Sequence, residues 1–283
     1  MPIHGAVRTE QGKDRCTNED AFGFFPELHF YVVADGMGGH TGGEIASALT
    51  VDTLRQYLQA AQAREAQAGD LLMHEAGPWV LGAQKLLSAV ECANAQVFAV
   101  SHHRPDLSGM GSTVAALYFD EPHSCITICH AGDTRVYRVR AGRLEQLTKD
   151  HSVGQQLVQA GKLNKHELAD FPYRRMLTQA VGICPLIRPE IRIEALKSGD
   201  FFLICSNGAY QDIGEEKIVE TVRSAGADLQ QVCDRLVAAA NERGGGDDET
   251  VLVLSYSDSA DCSFSVPVGP DSCVVPVQTR SFR

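Results

Sequence analysis

Six short apolar runs, rich in β-branched and aromatic residues, recur along the chain and predict β-strands. The runs are bounded by Gly, Asp or Pro, which favour turns. They cover residues 29–34, 113–119, 124–131, 135–140, 200–206 and 250–256.

Three longer stretches carry apolar residues at the spacing of a helix face. They cover residues 44–66, 81–100 and 229–243. In the second stretch, Leu86, Val90, Ala93 and Val97 follow one another at steps of three and four residues, so one face of the predicted helix is apolar.

Turn signals indicate how the predicted strands are joined. Residues 120–124 (DEPHS) and the pair Ala141-Gly142 separate neighbouring strands, and such short connections join strands antiparallel. Strands and helices do not alternate strictly along the chain. The predicted fold class is therefore α+β, with helices packed on antiparallel sheets.

The chain has no internal repeat and no linker-like composition within residues 1–256, which predicts a single domain there. Residues 150–182 are polar with few strand signals, and we expect a helical excursion or flap. Residues 257–283 are rich in Ser, Pro and Val without periodicity, which predicts a poorly ordered C-terminal tail.

Composition narrows the class of protein. The 283 residues are 44% hydrophobic and 22% charged, and the net charge is −11, which predicts a globular protein that does not bind nucleic acid or a membrane surface. No apolar run reaches the roughly 18 residues of a membrane helix, and residues 1–15 do not resemble a signal peptide. The nine cysteines are scattered, which indicates reduced thiols in a cytoplasmic protein.

Acidic residues recur where predicted strands begin or end. Asp35 follows one strand, Asp133 lies between two strands, and Asp247 precedes the last. Carboxylates that converge repel one another unless cations neutralise them, and oxygen ligands suit Mg²⁺ or Mn²⁺. The alternative is that each Asp is only a good turn residue.

A series of motifs, in order, resembles the metal-dependent serine/threonine protein phosphatases of type 2C, and their bacterial members in particular. The resemblance covers about residues 5–256. The motifs include RCTNED (15–20), VADGMGGH (33–40), GST (111–113), AGDTRVY (131–137), LTKDHS (147–152), LTQAVG (177–182), CSNG (205–208) and GGGDDETV (244–251).

The resemblance implies a sandwich of two antiparallel β-sheets flanked by helices, with a metal site at one end. It implies hydrolysis of phosphoserine and phosphothreonine in proteins, with two or three Mn²⁺ or Mg²⁺ ions as cofactors. A water held between two ions would attack the phosphate directly, without a covalent enzyme intermediate. Phosphorylated proteins are the implied substrates of a monomer, and a serine/threonine kinase is a possible partner.

The resemblance also implies roles for individual residues. Asp35 would bridge two ions with the Gly36 carbonyl as a further ligand, and Arg15 would grip the phosphate, which makes Arg15 and Asp35 the predicted catalytic residues. The remaining predicted metal ligands are Glu19, Asp20, Asp133 (for a third ion), Asn207 and Asp247.

Position 207 departs from the family pattern, which has Asp where this chain has Asn207. An amide oxygen can bind a hard cation but brings no charge. Three interpretations stay open: a change introduced to disable the site, a natural variant in which Asp248 supplies charge, or an inactive pseudophosphatase that binds phosphoproteins or regulatory partners. Asp248 could instead be a capping residue in a glycine turn.

No general acid is assigned. Met37 stands where animal members often carry His, and we expect His40 to be a surface residue and His151 to be structural. In the predicted flap, Tyr173, Arg174 and Arg175 could contact an acidic or phosphorylated partner, or they could simply be solvated.

Overall fold

The computed structural model describes residues 3–38, 42–68, 78–120, 124–226 and 228–257. The tail predicted over residues 257–283 lies outside the described residues except for Ser257, and His40 lies outside them too.

Two antiparallel sheets form the centre of the molecule. In the first sheet the order is β1 (Ile3–Glu10), β11 (Glu249–Tyr256), β10 (Asp200–Cys205), β7 (Arg135–Arg140) and β8 (Arg143–Gln146). In the second the order is β2 (Asp20–Phe25), β3 (Phe30–Met37), β5 (Val114–Asp120), β6 (Cys125–Ala131) and β9 (Glu190–Ala195), and the short β4 (Gly111–Ser112) pairs with the end of β3.

The two sheets pack face to face through large apolar side chains. Tyr31 contacts Phe119 edge-on at 5.7 Å between ring centroids, and Phe119 contacts Phe202 of the opposite sheet at 5.9 Å. On β3, alternate residues Phe30 and Val32 point the other way, into the layer under the helices. Strands that are covered on both faces have continuous apolar sequences, and this is why these strands could be predicted from the sequence.

Helices cover the outer face of each sheet. The pair α1 (Gly42–Ala68) and α2 (Pro78–His103) packs on the second sheet. On the first sheet lie α5 (Asn207–Asp212), α6 (Glu215–Ala225) and α7 (Leu229–Arg243). The resulting helix–sheet–sheet–helix layers confirm the predicted α+β sandwich.

Of the two predicted connections, the one at Ala141-Gly142 lies within the described residues, whereas residues 121–123 of the other lie outside them. Ala141 and Gly142 both have positive φ, 51° and 73°, as a two-residue hairpin turn requires, and they join β7 to β8 antiparallel. Between β8 and β9, the segment predicted as a flap carries two short helices, α3 (Val153–Gln159) and α4 (Lys165–Asp170). Among the described helices, none has the length and apolar character needed to cross a membrane.

Candidate metal centre

Asp20 and Asp35 stand at the centre of the site. They are directly opposite each other in the β2–β3 pair, so their side chains lie on the same face of the sheet. The Thr250 hydroxyl donates to Asp20 Oδ2 at 2.7 Å, and the backbone N–H of Asn207 donates to the Asp35 carboxylate. The last strand, β11, and the start of α5 therefore meet β2 and β3 at these two carboxylates.

Glu19 and Gly36 are held by close backbone packing beside that pair. The Gly36 N–H donates to the Glu19 carbonyl at 3.0 Å, and the Ser47 hydroxyl donates to the same oxygen at 2.6 Å. A Cβ at position 36 would lie 2.1 Å from the Gly43 carbonyl oxygen, so only glycine fits there. The Gly43 N–H donates to the Glu19 carboxylate, which fixes Glu19 at the start of α1.

Arg15 lies at the rim and pairs with two of the predicted ligands. Its Nη2 is 2.5 Å from Asp247 Oδ1 and its Nη1 is 3.3 Å from Glu19 Oε2, while 40% of the Arg15 side chain remains exposed. The Arg15 guanidinium is therefore both paired with acidic residues and accessible from solvent.

Asp248 has a different role from its neighbour Asp247. It is buried, its Oδ1 accepts the N–H of Gly12 at 2.9 Å, and its Oδ2 accepts the N–H of Glu19 at 2.8 Å. Both oxygens bind backbone donors that lie outside the glycine turn, so these contacts are not those of a cap of that turn, and the charge of Asp248 still acts on Asp20.

Asn207 begins α5 directly after β10, and its Oδ1 is buried without a hydrogen-bond partner among the described residues. Asp20 Oδ1 and Asp133 Oδ1 are also buried without a hydrogen-bond partner among these residues. Buried polar atoms are rarely left unpaired. Three such oxygens in one cluster fit a hard divalent cation, which takes oxygen ligands.

Asp20, Asp35, Asp133 and Asp247 interact electrostatically, and we call them the acidic cluster. Burial and the charges of neighbouring carboxylates raise the pKa values of Asp20, Asp35 and Asp133. Burial is the largest cause for Asp20, whose pKa is raised to about 7, and the charges of Asp248 and Asp247 add to it. The pKa of Asp35 is raised well above its ordinary value by burial and then by Asp20, Asp133 and Asp247. A cation at this position would remove the cost of ionising the cluster.

Asp133 connects the cluster to the flap. Burial, followed by the charge of Asp150, raises the pKa of Asp133 to about 6, whereas Arg135 and Arg175 lower it. Arg135 binds Asp150 through two hydrogen bonds of 2.8 and 2.7 Å, and its guanidinium lies 3.9 Å from the centre of the Tyr210 ring in α5.

The flap residues singled out from sequence are separated by the structure. Arg175 acts on Asp133 electrostatically, Arg174 donates to the Phe171 carbonyl at 3.4 Å, and Tyr173 is 59% exposed. Of the three, the Arg175 charge is the one with an effect on the acidic cluster.

The structure brings the sequence-predicted residues to one end of the sandwich. Asp20, Asp35, Asp133 and Asp247 interact electrostatically, Glu19 and Arg15 adjoin Asp247, and Asn207 contacts Asp35. Sequence reasoning missed the hydroxyl groups that position Asp20, namely those of Thr250 and Ser206. Both lie in motifs quoted above, Thr250 directly after Glu249 and Ser206 directly before Asn207, and this position is the sequence feature that could have identified them.

Comparisons with known proteins identify the family of the chain and its fold. Residues 10–244 match the family described as Protein phosphatase 2C. The chain is 32% identical over 258 residues to the serine/threonine protein phosphatase PstP of Mycobacterium tuberculosis. The aligned region covers 91% of this chain and 46% of PstP, so the chain spans about half the length of that relative. It is 30% identical to the serine/threonine phosphatase stp of Listeria monocytogenes, covering 89% of this chain and 95% of stp.

A solved structure is similar along nearly the same length. The catalytic domain of PstP in complex with two manganese ions has a TM-score of 0.73 and 29% identity, covering 90% of this chain and 99% of that domain.

Proposed function

The chain belongs to the protein phosphatase 2C family, and on that premise we propose that it hydrolyses phosphoserine and phosphothreonine in proteins with Mn²⁺ or Mg²⁺. The observation that carries the proposal is the set of buried, unpartnered oxygens of Asp20, Asp133 and Asn207. They lie at one end of the sandwich, in a cluster in which the pKa values of Asp20, Asp35 and Asp133 are raised.

The residues present fit such ions. Asp35, Asp247, Asn207 and the Gly36 carbonyl would hold two of them, with Glu19 and Asp20 acting directly or through water, and Asp133 would serve a third. When bound, two such ions would supply an activated water as the nucleophile for phosphate-ester hydrolysis. The manganese-containing domain of PstP supports this choice of metal.

Arg15 would bind and orient the phosphate. Its guanidinium pairs with Asp247 and Glu19, and this pairing keeps the side chain at the mouth of the site. Two parallel N–H groups can hold two phosphate oxygens at once. Asp35 would keep the nucleophile in place, because its backbone is fixed to Thr113, which donates its N–H to the Asp35 carbonyl at 2.8 Å.

Asn207 keeps open the alternative of a pseudophosphatase. The amide brings no charge to its metal position, which favours weak binding. The Asn207 Oδ1 is buried without a hydrogen-bond partner among the described residues, which favours a bound cation at this position. We therefore propose an enzyme with reduced metal affinity. The proposal extends to a monomeric cytoplasmic protein, opposed by a serine/threonine kinase.

The deciding experiment is hydrolysis of a phosphothreonine peptide over a range of Mn²⁺ concentrations. We expect Mn²⁺-dependent phosphate release that is lost in Asp35→Asn. If this chain and Asn207→Asp both bind Mn²⁺ and neither releases phosphate, the enzyme proposal is wrong and the chain is a binding module.

A further inference from the structure

A second cluster of potential metal ligands lies beside the base of the flap and shares no residue with the acidic cluster. His130 near the end of β6 is directly opposite Glu190 at the start of β9, so both side chains lie on the same face of the sheet. His151, in the connection between β8 and α3, stacks on His130 with 4.5 Å between ring centroids. One ligand atom from each residue lies within 4.8 Å of the others.

Hydrogen bonds orient both imidazole rings. His130 Nε2 lies 2.9 Å from the Lys149 carbonyl and donates to it, which leaves Nδ1 with its lone pair free to bind. The Gly132 N–H donates to His151 Nδ1 at the long distance of 3.3 Å, so His151 Nε2 carries the ring proton. That nitrogen is 3.7 Å from Glu190 Oε2.

The charge state of the cluster suits a cation. Burial lowers the pKa values of both His130 and His151, so the rings are neutral at physiological pH, as metal ligands must be. The Glu190 side chain is 44% exposed, which gives an ion a path from solvent and leaves room for a water as a further ligand.

We propose that His130, His151 and Glu190 bind one transition-metal ion of the zinc class. Two imidazoles and a carboxylate form a common ligand set for Zn²⁺, with the fourth position open to water. The oxygen-only acidic cluster instead suits Mg²⁺ and Mn²⁺. Binding moves the His151 ring proton from Nε2 to Nδ1 and gives up the long contact from Gly132, while the ring stays neutral.

This position would give the ion a mechanical effect. The Thr178 N–H donates to the His151 carbonyl at 2.8 Å, and Ser152 caps the first helix of the flap by accepting the Gln155 N–H at 3.3 Å. The two ends of the flap segment therefore meet at His151. An ion held there would fasten the base of the flap to β6 and β9.

The test is equilibrium binding of Zn²⁺ to the full chain with Mg²⁺ in large excess, followed by binding of Co²⁺, whose absorption spectrum reports tetrahedral nitrogen and oxygen ligands. We expect one tight Zn²⁺ per chain that persists in Asp35→Asn. His151→Gln and Glu190→Gln should each weaken it about 10- to 100-fold or more. His166→Gln, which removes an exposed histidine of the flap, is the matched control and should leave Zn²⁺ affinity unchanged.

The nitrogen NMR shifts of His151 give a readout that does not depend on activity, because Zn²⁺ should convert its ring from the Nε2–H to the Nδ1–H form. Glu190→Gln replaces a half-exposed side chain, and circular dichroism would verify that it folds. Unchanged Zn²⁺ affinity in both His151→Gln and Glu190→Gln would overturn the proposal, as would Zn²⁺ binding that disappears in Asp35→Asn. Because the acidic cluster is varied separately, this result is independent of whether the chain is a phosphatase.

Discussion

Asp20 and Asp35 form a directly opposed pair of partly buried carboxyl groups on adjacent antiparallel strands. Like charges opposite each other destabilise a sheet, and burial adds the cost of desolvation. Without a cation the pair is therefore a source of instability, and with a cation it becomes a binding site.

This pair predicts how metal-free stability depends on pH. The pKa of Asp20 is raised to about 7 and that of Asp133 to about 6, whereas both are near 4 in an unfolded chain. Between about pH 4 and pH 7 the folded state holds more protons, so we expect the free energy of unfolding to fall as pH rises. Urea denaturation of the metal-free protein across this range would measure it.

The two histidines act in the opposite direction, because their lowered pKa values make stability rise with pH up to about 6.5. Asp20→Asn separates the effects, since it removes one carboxyl group and leaves the histidines. We expect a smaller fall in stability in Asp20→Asn, and saturating Mn²⁺ should flatten the fall in the unmodified chain. An identical pH profile for both metal-free proteins would contradict the prediction.

Asn207→Asp should strengthen metal binding. The change supplies an anionic ligand where the structure has an unpartnered amide oxygen, and we expect the half-saturating Mn²⁺ concentration for phosphothreonine peptide hydrolysis to fall about tenfold, which is ~1.4 kcal/mol. The same change should lower the metal-free melting temperature, because a further carboxyl group joins a buried acidic cluster.

Asn164→Asp is the matched control for that experiment. Asn164 is the exposed N-cap of α4, where Asp and Asn are about equally favourable, so neither metal dependence nor melting temperature should change. Equal Mn²⁺ requirements for this chain and Asn207→Asp would show that the amide already serves as well as a carboxylate.

Arg15→Lys should impair substrate binding more than folding. A lysine keeps the charge but loses the fork, and we expect kcat/KM for a phosphothreonine peptide to fall about tenfold, with a larger fall in Arg15→Ala. Arg8→Lys alters an exposed ion pair with Glu10 and should leave the kinetics unchanged. If Arg15→Lys retains full kcat/KM, the forked contact with phosphate is not used.

Asp248→Asn should destabilise the fold. Both oxygens of Asp248 accept backbone N–H groups, from Gly12 and Glu19, and an Asn side chain would turn its NH₂ group toward one of those donors. We expect a loss of about 1–3 kcal/mol of unfolding free energy in urea denaturation. Asp228→Asn, at the N-cap of α7, keeps its acceptor and should cost almost nothing, so equal effects of the two changes would refute the bridging role.

The buried strands were predictable because their apolar pattern is continuous. The runs over 124–131 and 250–256 correspond to β6 and β11. The edge strands β1, β8 and β9 were not predicted, because none of them contains a fully buried apolar run. Their pairing depends on tertiary contacts such as the ion pair between Arg138 and Glu194.

The acidic cluster was predictable in membership but not in detail. The motifs contain the residues of the cluster. They do not show that Asp247 lies at the site while Asp248 accepts backbone N–H groups, because those donors, Gly12 and Glu19, come from distant parts of the chain. The cluster of His130, His151 and Glu190 gave no local signal, because 60 residues of chain separate its first and last members and only strand pairing joins them.

The pairing of β1 with β11 has a consequence for how this fold can be extended. Ile3 is opposite Tyr256 at one end of the pair, whereas Glu10 and Glu249 lie at the other end, next to Gly12 and Asp247. Eight residues of strand separate these ends by roughly 25 Å. A module fused before β1 or after β11 would therefore begin at the end of the sandwich away from the acidic cluster.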